Sequence, residues 1–346
     1  MSRSIYIDPS YPEFGQDRLF SLDDPVLNRD DQLLPFHRLR TGLLAAGHRI
    51  HTADRLFEGE PESRDRAEYY SLGVLRDYGS DAFRGVALKA FVIMEPTVVA
   101  PDLYAALPKL TRRFERVYLH NTRGDGYSLV DVDASRLRRL YWPMPFADVL
   151  PAWGNPLPRQ PRLVLINGKH LPRGRPGELY GTRIDAMLAL GEQGHLDLFG
   201  RGWDRWRDKR WLLRPGYWSM RRRIASIYKG ACESKYEVLS RYAFCLCFEN
   251  MTMDGYISEK ILDCFLAGTV PVYLGAPNIR EFVPADAFVD ARRFGSWEAL
   301  WQHVSALAPA QVERMREAGA AFVRSAAARP FFTSINDVIS GRDPAP

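Results

Sequence analysis

Residues 242–284, YAFCLCFENMTMDGYISEKILDCFLAGTVPVYLGAPNIREFVP, decide the fold class. The apolar run at the start predicts a buried strand ending at Glu249, and TVPVYLG at 269–275 predicts a second buried strand. A helix between them is predicted to end at Gly268. Its apolar face would consist of Ile257, Ile261 and Phe265. A helix flanked by two buried strands is typical of a parallel α/β sheet.

The same alternation of strands and helices extends over most of the chain. Apolar patterning predicts strands at 4–10, 48–54, 85–96, 116–121, 162–168 and 195–202, and helices at 31–46, 103–114, 178–190 and 236–242. The segment 143–161 contains six prolines and predicts a connector. We therefore predict an α/β protein with two Rossmann-like domains, 1–150 and 160–325, a cleft between them, and a C-terminal tail at 326–346.

Composition narrows the class of protein. The 346 residues include 47 Lys and Arg against 42 Asp and Glu, a mild positive excess that favours an anionic ligand over nucleic-acid packaging. The sequence has no signal-peptide pattern and no apolar run long enough to span a bilayer, so we expect a cytoplasmic protein. The four cysteines lack metal-ligand spacing and are expected to be reduced packing residues.

The segment 201–223 differs from the rest of the chain. It carries nine of the Arg and Lys residues and four of the eight Trp residues. It could be an exposed insertion whose Trp rings pack on their own domain. It could instead contact anionic lipid or a charged glycolipid, as a peripheral contact at the inner face of the membrane. Stacking on single-stranded nucleic acid is the third alternative.

The first turn of the predicted helix combines two charges. Ser258 is a plausible N-cap, which places Glu259 and Lys260 in the first turn. A cation there is unfavourable unless an anion lies between it and the free backbone N–H groups, and a diphosphate would fit. The alternative is a solvated Lys260 that pairs with Asp254 or Asp263.

The ordered set FENMTMDGYISEKILDCFLAGTVPVYLGAPNI at 248–279 resembles the signature of the α-1,3-fucosyltransferases, the family 10 glycosyltransferases. These proteins carry a Phe-Glu-Asn, a short spacer, a Tyr, a Ser/Thr-Glu-Lys, a helix, a strand and a Gly-x-Pro turn. The resemblance covers about residues 160–295 and reaches the N-terminal half only in outline. It implies a GT-B fold, two facing Rossmann-like domains, with an inverting mechanism and a GDP-fucose donor.

The resemblance also implies roles for individual residues. Lys260 and Arg183 would hold the donor phosphates without a metal or other cofactor. Asn250, Tyr256 and Glu259 would contact the nucleotide and sugar, and Glu249 occupies the first acidic position of the motif. From the residues alone, Arg183 could instead form a salt bridge with Asp185 or Glu178, and Tyr256 could simply pack within its loop.

An inverting transfer needs a base that accepts the acceptor hydroxyl proton. Our candidate is Glu95, which ends an apolar strand and precedes a proline. A base elsewhere, for example Asp102, is the alternative. Asp131 and Asp133 resemble a metal-binding Asp-x-Asp, but they lie away from the donor motif, so no metal is expected.

The resemblance implies a fucosyltransferase acting on an oligosaccharide or glycolipid acceptor, with an α-1,3-type linkage in lipopolysaccharide, O-antigen or another surface glycan. A second hypothesis keeps the fold and changes the donor to another GDP-sugar. A third is a non-catalytic protein on the same scaffold that binds glycans or nucleic acid. The retained Glu259-Lys260 pair and Arg183 argue against the third, so no nucleic-acid partner is expected.

Overall fold

The computed structural model describes residues 2–58, 67–154, 158–206 and 216–342. The chain divides into two units, each with its own hydrophobic core. Unit 1 comprises Met1–Pro145, Met253–Tyr256 and Arg329–Pro346, and unit 2 comprises Phe146–Thr252 and Ile257–Ala328.

Unit 1 is built on a parallel six-stranded sheet with apolar side chains packed on both faces. Its strands are β1 (Ser4–Asp8), β2 (Arg49–Thr52), β3 (Ala67–Ser71), β4 (Ala87–Val92), β5 (Arg116–Leu119) and β6 (Leu137–Arg139). Its first helices are α1 (Leu34–Ala45), α2 (Asp54–Glu58), α3 (Pro101–Ala105) and α4 (Leu107–Arg113). The strand order is β2-β1-β3-β4-β5-β6, and every neighbouring pair is parallel.

Unit 2 is built on a parallel five-stranded sheet. Its strands are β7 (Gln160–Ile166), β8 (Leu196–Phe199), β9 (Tyr242–Phe248), β10 (Val270–Leu274) and β11 (Val289–Asp290). Its helices are α5 (Tyr180–Glu192), α6 (Tyr217–Ile227), α7 (Lys235–Leu239), α8 (Glu259–Ala267), α9 (Trp297–Ser305) and α10 (Pro309–Val323). The strand order is β11-β10-β9-β7-β8, again parallel throughout. The predicted α/β class with two Rossmann-like sheets is confirmed.

The described part of the predicted tail, residues 326–342, contains a helix. Residues Arg329–Ser340 form helix α11, which belongs to unit 1. Ile335, Val338 and Ile339 are buried in the core on one face of the unit 1 sheet. Because these apolar side chains recur at helical spacing, their burial holds the C-terminal segment on the N-terminal unit.

The proline-rich connector is tied to unit 2 by two arginines. The Arg316 guanidinium donates to the carbonyls of Trp153 and Gly268, at 2.8 and 2.7 Å. Arg159 donates to the carbonyls of Trp153 and Ala267, at 3.1 and 2.9 Å. Two cations at the end of α8 are favourable, because the last carbonyls of a helix carry partial negative charge. The described part of the connector is therefore held in an ordered conformation by these hydrogen bonds.

The strand order locates the ligand-binding edge of each sheet. In open parallel sheets, ligands bind beyond the carboxyl ends of the strands, where the strand order reverses. In unit 2 this switch point lies between β7 and β9, and in unit 1 it lies between β1 and β3. A ligand site in unit 2 is therefore expected at the loops after β7 and β9.

Candidate anion-binding site

Helix α8 begins and ends where its sequence predicts. The Ser258 hydroxyl accepts a hydrogen bond from the backbone N–H of Lys260, which makes Ser258 the N-cap. Gly268 has φ +73° and closes the helix in the left-handed conformation that glycine tolerates. The N-terminus of α8 thus follows the loop that leaves the carboxyl end of β9, beside the switch point.

Glu249 fastens this helix start to the sheet. It is fully buried, and its carboxylate accepts hydrogen bonds from the backbone N–H and the hydroxyl of Ser258, at 2.8 and 2.6 Å. A Cβ placed on Gly275 would lie 2.4 Å from Glu249 Cγ, so glycine is required there for the close approach of β9 and the loop after β10. The first acid of the motif is therefore a buried structural anchor.

Lys260 lies at the N-terminus of α8 and remains partly open to solvent, with 23% of its side chain exposed. Its ammonium donates to the Ser258 hydroxyl at 2.9 Å and lies 3.4 Å from Glu249 and 3.6 Å from Glu259. The predicted alternative partner Asp263 instead pairs with Lys235 at 2.7 Å. Two carboxylates and a hydroxyl therefore position a partly exposed ammonium at the first turn of a helix, where N–H groups carry partial positive charge.

Arg183, which the resemblance predicts to hold the donor phosphates, contacts the end of β9. It is buried on α5, and its guanidinium donates to the carbonyls of Phe248 and Glu249, at 2.8 and 2.9 Å. The Asn250 side-chain oxygen lies 3.5 Å from the same nitrogen. Neither predicted salt bridge describes these contacts, because the guanidinium satisfies carbonyls at the end of β9. Arg183 fixes the strand end and adds positive charge beneath it.

Asn250 and Glu259 complete the group around this strand end. The Asn250 carbonyl accepts a hydrogen bond from the backbone N–H of Leu179 at 2.9 Å, which joins the loop to the start of α5. The pKa of Glu259 is lowered overall. Burial alone would raise it, but the positive charges of Lys260 and Lys235 have the larger combined effect. Glu259 is therefore ionised at neutral pH.

The structure adds residues that the sequence reasoning missed. The loop after β7 carries Lys169 and His170, and Arg173 follows it. Burial and the positive charges of Arg183, Arg173 and Lys260 lower the pKa of His170. Their position could have identified Lys169 and His170 from the sequence, because polar side chains directly after a buried strand lie at the ligand-binding edge of the sheet. Lys169, Arg173 and Lys260 make the switch point of unit 2 electropositive.

Tyr256 and Glu95 lie in unit 1 and not in this group. The ring of Tyr256 is buried and packs edge-on against His120, with centroids 5.0 Å apart. Glu95 follows the end of β4 by three residues and is partly buried. Its carbonyl accepts a hydrogen bond from the Tyr104 hydroxyl at 3.1 Å.

Three further aspartates, Asp102, Asp131 and Asp133, lie in local turns or helix starts. Asp102, the alternative base, is exposed in the first turn of α3, where a negative charge suits the helix dipole. Asp133 caps a short helical turn by accepting from the backbone N–H of Ser135 at 3.1 Å, and Asp131 has φ +60°. Among the described residues, no group of three or more His, Cys, Asp or Glu side chains could hold a metal ion.

The structure divides the Trp- and Arg-rich segment. Trp203 and Trp206 are buried in the core of unit 2, as the insertion alternative predicts. Trp218, on α6, is 54% exposed and lies beneath the Arg221 guanidinium. Trp211 lies outside the described residues.

All four cysteines are free, and Cys245, Cys247 and Cys264 are buried. Within the described ranges, every helix is too short or too polar to cross a membrane.

Comparison with known proteins supports the resemblance. Residues 182–316 match the model of the glycosyltransferase family 10 (fucosyltransferase) C-terminal domain. An α-(1,4)-fucosyltransferase of Arabidopsis thaliana is 38% identical over 69 residues, 20% of this chain and 17% of that protein. The α-(1,3)-fucosyltransferase FucT of Helicobacter pylori is 35% identical over 75 residues, 22% of this chain and 16% of that protein. The matched segments thus span about a sixth of these relatives.

The fold comparison covers nearly the whole chain. A crystal structure of an α1,3-fucosyltransferase with GDP superposes with a TM-score of 0.54 at 14% identity, covering 98% of this chain and 91% of that one. This likeness identifies the GT-B fold class. The segment matched by the family model contains Arg183, Glu249 and Lys260. Residues 182–316 are therefore similar to the C-terminal domain of glycosyltransferase family 10, the fucosyltransferase family.

Proposed function

We propose that this protein is an inverting fucosyltransferase that moves L-fucose from GDP-fucose to a hydroxyl of an oligosaccharide. The observation that carries the proposal is the placement of Lys260 at the N-terminus of α8, held by Ser258 and Glu249 at the switch point of unit 2. Free helix N–H groups and a fixed ammonium suit a diphosphate. The match of this segment to the fucosyltransferase family model supports the choice of donor.

The chemistry requires stabilisation of the leaving group. As the bond from the sugar to the diphosphate breaks, negative charge grows on the phosphate oxygens. Lys260 and the helix N–H groups would stabilise that charge from positions already fixed before the reaction. Such preorganisation is the condition for effective electrostatic catalysis. Arg183 contributes positive charge from below and orders the end of β9. We infer that no metal is required.

On the acceptor side, we propose Glu95 as the general base. A pocket of about 290 Å³ in unit 1 includes Thr97, Tyr104 and Tyr127 in its lining. Tyr104 joins this pocket to Glu95 through the hydrogen bond to the Glu95 carbonyl. Aromatic rings beside a carboxylate form a surface that can seat an acceptor sugar while the carboxylate removes its proton. We propose a surface polysaccharide or lipopolysaccharide as the acceptor.

For a glycolipid acceptor, we propose that α6 contacts the membrane surface. Arg221, Arg222 and Arg223 lie on this helix with the exposed Trp218, and cationic residues with an interfacial aromatic suit anionic lipid. Sedimentation with vesicles of phosphatidylglycerol and phosphatidylcholine tests this contact. Binding that disappears in Trp218→Ser/Arg221→Ser supports it, and equal binding by both proteins contradicts it.

The direct test is incubation with labelled GDP-fucose and a panel of oligosaccharide acceptors. Released GDP together with a new glycan mass supports the proposed function. A thermal-shift panel of GDP-fucose, GDP-mannose and UDP-glucose separates the donor alternatives, because a bound ligand raises the unfolding temperature by mass action. Stabilisation by GDP-mannose alone would favour the second hypothesis, and stabilisation by none would refute a GDP-sugar site.

A further inference from the structure

His170 lies in the loop after β7, at one side of the unit 2 switch point. Its ring stacks on Tyr180, with centroids 5.4 Å apart and an interplanar angle of 23°. The Arg183 guanidinium lies 5.6 Å from the centroid of the same tyrosine ring. Tyr180 is itself buried, so it forms a fixed platform for the histidine.

The loop that carries His170 is held in place by the end of β8. The backbone N–H of Asn167 donates to the Phe199 carbonyl at 3.0 Å, and that of Lys169 donates to the Arg201 carbonyl at 2.9 Å. Gly200 permits this approach, because a Cβ there would lie 1.9 Å from the Asn167 carbonyl oxygen. His170 is therefore presented by an ordered loop, as a binding residue needs to be.

The charges that face His170 are positive. Arg183 faces it from α5, Arg173 from the loop that follows, and Lys260 from α8. The nearby Glu178 carboxylate accepts hydrogen bonds from the backbone N–H groups of Arg173 and Gly174, at 2.9 to 3.0 Å. Protonating His170 would add a further cation to this group, which is unfavourable until an anion binds.

We propose that His170 takes up a proton when the diphosphate of a sugar nucleotide binds at the unit 2 switch point. This inference rests on the proposed function for the identity of the ligand. One proton moves from solvent to a ring nitrogen, no other bond changes, and the imidazolium then donates a hydrogen bond to a phosphate oxygen. A dianion among three cations makes the charged ring favourable, whereas the neutral ring prevails without it.

The sign of the pH dependence follows from linkage. Between the lowered pKa of the free protein and the raised pKa of the complex, binding takes up one proton, so affinity falls as the pH rises. Above both values the ring is neutral in both states, and the dependence disappears. In the middle of the window, Kd rises by up to about tenfold per pH unit.

Isothermal titration calorimetry with GDP-fucose, at intervals from about pH 5.5 to about pH 8, tests the proposal. The phosphates of GDP-fucose keep their charge over this range, so the protein supplies the pH dependence. Repeating each titration in two buffers of different ionisation enthalpy counts the protons taken up. We expect close to one proton for the wild-type protein and at least threefold less uptake for His170→Gln. His303→Gln, at an exposed histidine on α9 of the same unit, should match the wild-type protein.

Equal proton uptake by the wild-type protein and His170→Gln, with GDP-fucose bound by both, would overturn this inference and leave the proposed function intact. Absence of GDP-fucose binding by the wild-type protein at every pH would instead refute the proposed function. The His170 ring resonances of the wild-type protein give a second readout that needs no variant. Their titration midpoint should rise on adding GDP-fucose, and an unchanged midpoint would contradict the proposal.

Discussion

The Ser258 hydroxyl donates a buried hydrogen bond of 2.6 Å to the Glu249 carboxylate, and this bond joins the end of β9 to the start of α8. The same hydroxyl accepts from the Lys260 ammonium at 2.9 Å. One serine therefore caps the helix, satisfies a buried acid and orients a cation. The position of Lys260, on which the donor site depends, is set by these two residues.

Glu249→Gln should lower both stability and donor affinity. An amide keeps the size of the carboxylate but has only one acceptor oxygen for the two donors of Ser258, and it removes the negative charge beside Lys260. We expect a loss of about 1–3 kcal/mol in the free energy of unfolding, measured by urea denaturation. Ser296→Ala, which removes the exposed N-cap of α9, is the control for a simple capping loss. A Glu249→Gln protein with wild-type stability and GDP affinity would remove this anchor from the account.

Arg183→Met separates a structural role from direct phosphate contact. The carbonyls of Phe248 and Glu249 would lose their buried donor, so we expect destabilisation by about 1–3 kcal/mol. Donor affinity should fall less than in Lys260→Ala, because Arg183 is 2% exposed and acts from beneath the strand end. Urea denaturation and calorimetry with GDP-fucose measure the two effects. An unchanged unfolding free energy with abolished GDP-fucose binding would support the phosphate clamp instead.

Gly275→Ala tests the close packing at the end of β10. The added Cβ would lie 2.4 Å from Glu249 Cγ and 2.5 Å from the Tyr273 hydroxyl, so the backbone has to shift. We expect a loss of about 1–3 kcal/mol of stability, the usual cost of overpacking. Gly295→Ala is the matched control, because no atom lies within 4 Å of the position of its Cβ. Equal unfolding midpoints for the two variants would show that this contact is unimportant.

Glu95→Gln tests the proposed base. The substitution removes proton acceptance and preserves size, so turnover should fall by about 10²–10⁴-fold while the affinity for GDP-fucose stays the same. Kinetics with saturating donor, together with calorimetry, provide the comparison. Asp102→Asn, at the exposed first turn of α3, should retain wild-type turnover. The reverse pattern, with turnover lost only in Asp102→Asn, would move the base to that position.

Local sequence signals predicted the parts of the fold that local physics determines. The serine cap and the glycine end predicted α8, and continuous apolar runs predicted β9 and β10. Strand β11 was not predicted, because two residues are too few to show a periodic pattern. Helix α11 was not predicted either, because its apolar face is explained only by its packing in the unit 1 core. The burial of Arg183 and its hydrogen bonds to the end of β9 could not be predicted, because they depend on packing that one sequence does not display.

The most direct test of the account measures GDP-fucose binding to Lys260→Ala by calorimetry, beside Lys260→Arg and the wild-type protein. The fold should persist in both variants, as judged by circular dichroism. The account predicts that Lys260→Ala loses GDP-fucose affinity by about 10²-fold or more, the usual scale for a charge-assisted contact, and that Lys260→Arg recovers part of it. A folded Lys260→Ala protein that binds GDP-fucose as tightly as the wild-type protein would contradict the central claim.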